Sequence, residues 1–308
     1  MSVPKYTIIH SPAAENHVNG SYHALKQATK LALLEGQTPI TPALVYEPFL
    51  NLIKDPEVRN NTLTRLSLKW ANTLIKSEHP FEIQFALTIK KSKAAPELIE
   101  LEDQLHAIAA KFSQKGRRIT CYPDFEAKVR DVVLEETGDV TDLRNLKPFD
   151  ERDQARAIDA IISLSKNDNA KATIIESPFK GNVKGHLDYA YQSMINLMDK
   201  GHLPFGSHFI YTQVLDDKIQ EERTLGIYSG LEMYHVCPNS VYLLDMGASS
   251  GMQLAFDAQG QYSRECEYLK EGVVSSEPTP DSGLKKSEPD IVNDDDVNQS
   301  IDYRVRSA

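Results

Sequence analysis

The feature that most limits the folds open to this chain is an internal repeat. Tyr6-Thr-Ile-Ile-His-Ser-Pro12 returns as Ala172-Thr-Ile-Ile-Glu-Ser-Pro178. Gly36-Gln-Thr-Pro39 returns as Gly201-His-Leu-Pro204, Ala43-Leu-Val-Tyr46 as His208-Phe-Ile-Tyr211, and Asp55-Pro-Glu-Val-Arg59 as Ile219-Gln-Glu-Glu-Arg223. Four blocks in one order at a near-constant offset imply two copies of one unit rather than a single long domain. The 308 residues are enough for two such units, each with its own core.

Strand and helix patterns alternate in both copies. The second reads as a strand over 172–176, a helix over 187–199, a strand over 209–211, a helix over 221–235, a strand over 241–244 and a helix over 249–258. Leu187, Ala190, Tyr191, Met194, Ile195 and Met198 fall on one side of the first of these helices. The first copy reads as strand 7–9, helix 22–35, strand 43–46, helix 57–76, strand 81–89, a helix over 96–112 and strand 118–122. This alternation predicts an α/β fold, with a parallel sheet wrapped by helices in each copy. The expected division is residues 1–122, a helical connector over 123–170 with helices at 125–135 and 151–165, the second copy over 171–270, and a tail over 271–308.

The tail holds nine acids against four bases, half of the chain's net charge of −10. Its sparse apolar content cannot offset the entropy of ordering it, so it is expected to be disordered. An acidic protein is a poor candidate for gripping nucleic acid through its overall field. The N-terminus lacks the charged start and long apolar stretch of a secretory signal, and no apolar run could span a membrane. Cys121, Cys237 and Cys266 are odd in number and far apart, as suits reduced thiols in a cytoplasmic protein. Neither a metal site nor a cofactor is expected.

In an open parallel sheet, ligands bind beyond the carboxyl ends of the strands. The loop Ser177-Pro178-Phe179-Lys180-Gly181 offers a cation, a flexible backbone and a following helix N-terminus, which suits a phosphate or carboxylate, although Ser-Pro followed by Gly also makes an ordinary turn. His208 and Gln213 flank the next apolar strand. The third strand runs into Asp245-Met-Gly247-Ala-Ser-Ser250-Gly251-Met252-Gln253, where Asp245 either meets a sugar hydroxyl or caps the loop.

These residues, together with Tyr189-Ala190, Gly201-His-Leu-Pro-Phe, His208-Phe-Ile-Tyr-Thr-Gln-Val-Leu-Asp-Asp217, Glu222-Arg223 and Gly226, resemble the nucleoside 2-deoxyribosyltransferase-like superfamily. The similarity is greatest to its small bacterial and phage members and covers about 172–269. It reaches the first copy only through the repeat. The resemblance implies two flavodoxin-like, deoxyribosyltransferase-like domains in tandem, the first a degenerate copy. It also implies binding of a nucleoside or nucleotide, and cleavage or transfer at an N-glycosidic bond through a carboxylate at C1′.

The family glutamate follows the third-strand loop, where this chain has Gln253 or Ala255, neither of them a nucleophile. The candidate catalytic carboxylates that remain are Glu232, which falls where the family has a second carboxylate, Asp245 and Asp257. Three readings therefore stand: an N-glycosidase or glycosyl transferase, a non-catalytic sensor, sequestering or interaction protein, and a purely structural pseudo-dimer in which one copy braces the other. The partner is expected to be a small nucleoside or nucleotide, not a nucleic acid duplex or a membrane. A neighbouring subunit or the other copy could complete the site, in a homo-oligomer or an intramolecular pseudo-dimer.

Overall fold

The computed structural model describes residues 5–10, 18–77, 82–87, 118–122, 146–259, 265–270, 273–278 and 282–284. The expected helices at 96–112 and 125–135 lie outside these residues, as does most of the acidic tail. The chain is a mixed α/β protein, and among the described residues no helix is long and apolar enough to cross a membrane.

The first half begins with β1 (Lys5–His10) and α1 (Val18–Leu34), followed by β2 (Thr38–Ile40) and two short helices, α2 (Pro42–Val45) and α3 (Glu47–Leu50). Then come α4 (Pro56–Lys76), β3 (Glu82–Leu87) and β4 (Arg118–Tyr122). α5 (Glu151–Lys166) leads into the second half, which runs β5 (Lys171–Glu176), α6 (Val183–Asp199), β6 (His202–Phe205), α7 (Gln220–Glu232), β7 (Asn239–Leu243), α8 (Ser250–Gln259), β8 (Glu265–Lys270) and β9 (Val273–Ser275).

The first sheet has the order β2-β1-β3-β4 and the second β6-β5-β7-β8-β9. All pairings are parallel except β8 with β9, an antiparallel edge that the sequence pattern did not announce. In each sheet the first strand is central and the second strand is an edge.

Local sequence explains the helices. α4 starts where Asp55 accepts hydrogen bonds from the N–H groups of Glu57 and Val58, at 2.9 and 3.2 Å, with Pro56 in the first turn, where its missing N–H costs nothing. Its buried residues include Leu63, Leu66, Trp70 and Leu74, a stripe at helical spacing. Asp150 caps α5 in the same way.

Two expected strands are corrected. Residues 43–46 belong to α2 and its C-cap, and residues 209–211 fall in a pair of 3₁₀ turns, Ser207–Phe209 and Tyr211–Gln213. The true edge strands lie a few residues earlier and contain Pro39 and Pro204, which normally count against a strand. An edge strand tolerates proline because the missing N–H faces away from the ladder. The apolar runs 43–46 and 209–211 are instead buried as short helical turns. Gly206 permits the tight entry to those turns, because a Cβ there would stand 2.8 Å from the rings of His208 and Phe209.

One hydrophobic core runs through both halves, from Ile8, Tyr46 and Trp70 to Ile174, Tyr191 and Phe205. At the seam between them the Tyr46 hydroxyl donates to the Pro204 carbonyl at 2.8 Å, and the Tyr211 hydroxyl donates to the Pro39 carbonyl at 3.2 Å. These are reciprocal contacts between repeat-equivalent residues. Lys30 and Glu222 form an ion pair at 3.1 Å across the same seam, their side chains only 7% and 17% exposed. Tyr6 donates to the backbone carbonyl of Glu232 at 3.1 Å, and Trp70 meets Phe205 edge-on at 5.6 Å.

Candidate functional site

β6 and β7 lie on opposite sides of β5. The chain therefore leaves the carboxyl ends of β5 and β7 in opposite directions, and this switch point is where an open parallel sheet has its ligand crevice. Glu176, the last residue of β5, is in register with Tyr242 of β7.

The loop after β5 is fixed at several points. Ser177 is buried, and its hydroxyl lies 2.9 Å from Nε2 of His208. His208 is wedged against the Phe209 ring, with centroids 4.2 Å apart, and faces Phe179 at 6.1 Å. Burial, helped by the nearby His186, pulls the His208 pKa down to about 3, so at neutral pH its ring is uncharged and brings no cation to the crevice. His186 Nδ1 lies 3.0 Å from the Phe179 carbonyl, as a donor would, and Asn182 caps α6 by accepting from the Gly185 N–H at 3.2 Å. Between these anchors Lys180 is exposed and Gly181 has a left-handed φ of 96°, which a side chain would strain.

The loop after β7 is built differently. Asp245 is exposed, and its N–H donates to the Tyr189 hydroxyl of α6 at 3.3 Å. Burial, and then the neighbouring Asp245 carboxylate, push the Tyr189 phenol well up. Gly247 turns the chain with a φ of 78°. Ser249 then opens α8, its hydroxyl accepting from the Met252 N–H at 3.2 Å. Ser250 and Gly251 are exposed at the start of that helix, whereas Met252 is buried with Tyr242 and Phe256.

Other candidates fall elsewhere. Gln213 is buried in the seam, where its oxygen accepts from Tyr22 and its amide nitrogen donates to the Phe209 carbonyl, so it does not flank the crevice as expected. Glu232 sits at the end of α7 against the first half, its backbone carbonyl accepting from Tyr6; the nearby Tyr211 phenol is pushed well up, by burial first and only then by neighbours that include Glu232. Asp257 is exposed and accepts from Gln253, one helical turn earlier, at 2.9 Å. Ala255, at one register of the missing family glutamate, is 4% exposed and packs into the core. Of the three expected catalytic carboxylates, Asp245 alone belongs to a loop that borders the crevice.

The carboxylate at the crevice itself is Glu176. The Tyr234 hydroxyl donates to its Oε1 at 2.8 Å and lies 3.3 Å from the Tyr242 hydroxyl. Tyr242 is held by a stacked Tyr268 at 5.3 Å and by the Phe256 edge at 6.1 Å. Tyr234 lies in the 3₁₀ turn Met233–His235 that follows α7, and it is buried. Burial pushes the Glu176 carboxyl up to about 7, and the Tyr234 hydrogen bond offsets only part of that rise. Sequence reading passed over Glu176 as part of the repeat. The usable signal was that the repeat breaks there, with His10 at the matching place.

Among the described residues no group of three His, Cys, Asp or Glu side chains is placed to hold a metal. Cys237 is a buried thiol outside any disulfide, and Cys266 is half-buried, donating to Gln259 at 2.8 Å.

The site is thus a strand-end crevice in a mixed α/β protein, bordered by two loops that each run into a helix. Residues 171–269, the part that carries it, match the model of a family described as a domain of unknown function, DUF7768. No curated protein and no solved structure matches the chain.

Proposed function

We propose that the crevice at the carboxyl ends of β5 and β7 binds a nucleoside or nucleotide. The observation that carries this reading is the convergence of two glycine-containing loops, 177–182 and 245–249, on one switch point, each ending in a helix N-terminus. Free N–H groups and the positive end of the helix dipole at such junctions favour an anionic group, with Lys180 exposed on the first loop to add charge. The motif likeness to the deoxyribosyltransferase-like superfamily supports a nucleoside moiety as the remainder of the ligand. The common strand order and the reciprocal Tyr46 and Tyr211 hydrogen bonds support a reading of the halves as tandem flavodoxin-like copies forming an intramolecular pseudo-dimer.

A second reading, binding without turnover, is favoured by the buried Ala255 and by Gln253, which is engaged with the exposed Asp257. The test is thermal melting of the full chain with the common 5′-nucleotides and their nucleosides. A ligand that binds only the folded state at 100 times its Kd adds about 2.7 kcal/mol. The expected result is a rise in Tm with at least one of them, reduced by Lys180→Ala. Free base in the same mixtures identifies an N-glycosidase, and binding without it identifies a sensor. An unmoved Tm throughout refutes the proposal.

A further inference from the structure

We infer that Glu176 contacts the ligand directly, with its Oε2 accepting a hydrogen bond from a donor on the bound molecule, either a sugar hydroxyl or a base N–H. The inference rests on the nucleotide-site reading above and adds a recognition residue to that site. Glu176 ends β5 opposite Tyr242, at the switch point where the crevice opens. Its Oε1 is pinned by Tyr234, while Oε2 has no hydrogen bond and is not sealed from solvent among the described residues.

The two phenols are themselves fixed, Tyr234 by its 3.3 Å contact with Tyr242 and Tyr242 by Tyr268 and Phe256. The carboxyl is therefore held in one orientation with one oxygen unspent, the arrangement a recognition group needs. A purely structural partner for Tyr234 does not require a carboxylate, since a neutral acceptor would serve without the cost of burying charge. The first half illustrates this at the matching position. There His10, buried and held neutral, lies 2.9 Å from the Ser67 hydroxyl. A ligand seated there displaces the water that reaches Oε2, which strengthens the bond that oxygen accepts.

The experiment is calorimetric titration of the full-length wild type, Glu176→Gln and Tyr234→Phe with 5′-AMP, 5′-GMP, 5′-CMP and 5′-UMP. The matching free base and ribose 5-phosphate are titrated separately. The glutamine keeps an acceptor for Tyr234 but offers an N–H₂ to the ligand. Expected at pH 8, where the carboxyl is ionised, is a loss of affinity on the order of tenfold or more in Glu176→Gln for the nucleotide that wild type binds, the ratio typical of a hydrogen bond to a charged group. Melting should show that the variant is folded. A smaller loss is expected in Tyr234→Phe, which keeps the carboxylate but frees its orientation. The fragment whose binding also falls in Glu176→Gln, base or sugar phosphate, names the donor. Equal affinity of wild type and Glu176→Gln overturns the inference while leaving the nucleotide site standing. No binding by wild type removes the nucleotide site and this contact with it.

Discussion

Replacing Glu176 by Gln should make the protein more stable at alkaline pH and leave it nearly unchanged in acid. In the folded chain the carboxyl is pushed from its ordinary 4.5 to about 7. Below 4.5 both folded and unfolded states carry it protonated, and the group is neutral with respect to folding. As pH rises, the unfolded chain releases its proton first, and the folded state loses stability until its own carboxyl ionises near 7. By about pH 8 the deficit is complete, about 3 kcal/mol for the rise from 4.5 to about 7 at about 1.4 kcal/mol per pH unit. Glutamine keeps an acceptor for the Tyr234 hydroxyl and carries no charge, so the variant should recover most of that amount. For a chain of this size the recovery corresponds to a rise of roughly 4–8 °C in Tm. Melting curves of wild type and Glu176→Gln at pH 4.5, 6 and 8 provide the check, with the difference between the proteins as the readout so that other titrating groups cancel. A difference that does not grow with pH, or a variant less stable at pH 8, would refute the placement of this carboxyl in a desolvated crevice.

Removing either tyrosine hydroxyl at the seam, by Tyr46→Phe or Tyr211→Phe, should cost about 1–3 kcal/mol, because each leaves a buried proline carbonyl without its donor; chemical denaturation measures this, and a neutral result for both would deny the reciprocal contacts. Lys30→Ala should cost about 3 kcal/mol by leaving Glu222 largely buried without its cation, and Lys30→Ala combined with Glu222→Ala should cost less than the single change. His10 and His208 are depressed from 6.5 to about 4 and about 3. Both therefore contribute stability above pH 6.5 that is lost as pH falls toward those values. Replacing either by Gln should flatten the acid limb of the stability profile, read by urea midpoints between pH 3 and 7.

The parallel-sheet architecture was legible because β1 and β5 are β-branched and the stripes of α4 and α6 follow helical spacing. The repeat also foreshadowed the shared strand order of the two sheets. The edge strands were misplaced because Pro39 and Pro204 argue against strands except at an edge, and edge position is a tertiary fact. Both substitutes were short buried apolar runs, which cannot be told from strands by periodicity. At the site, the loops around Lys180 and Gly247 were readable from glycine, serine and their position after strands. The seam role of Gln213 was not, because its partner Tyr22 lies 191 residues away. Glu176 escaped notice for a related reason: its chemistry depends on Tyr234 and Tyr242, whose phenols reach it only once the sheet has formed.

The reciprocal tyrosine contacts also set a timetable for synthesis. β2 reaches its proline carbonyl at residue 39, but the hydroxyl that covers that carbonyl belongs to Tyr211. At about 5–20 residues per second, the ribosome takes roughly 10–30 s to make the chain between them. From the emergence of β4 until Tyr211 follows, the first sheet has β2, with its Pro39, as an edge whose seam contact is still missing. A nascent first half is thus the form of this protein most exposed to mispairing and most in need of a chaperone. Synonymous changes that slow elongation between residues 40 and 211 should lower the yield of soluble protein without altering a single side chain.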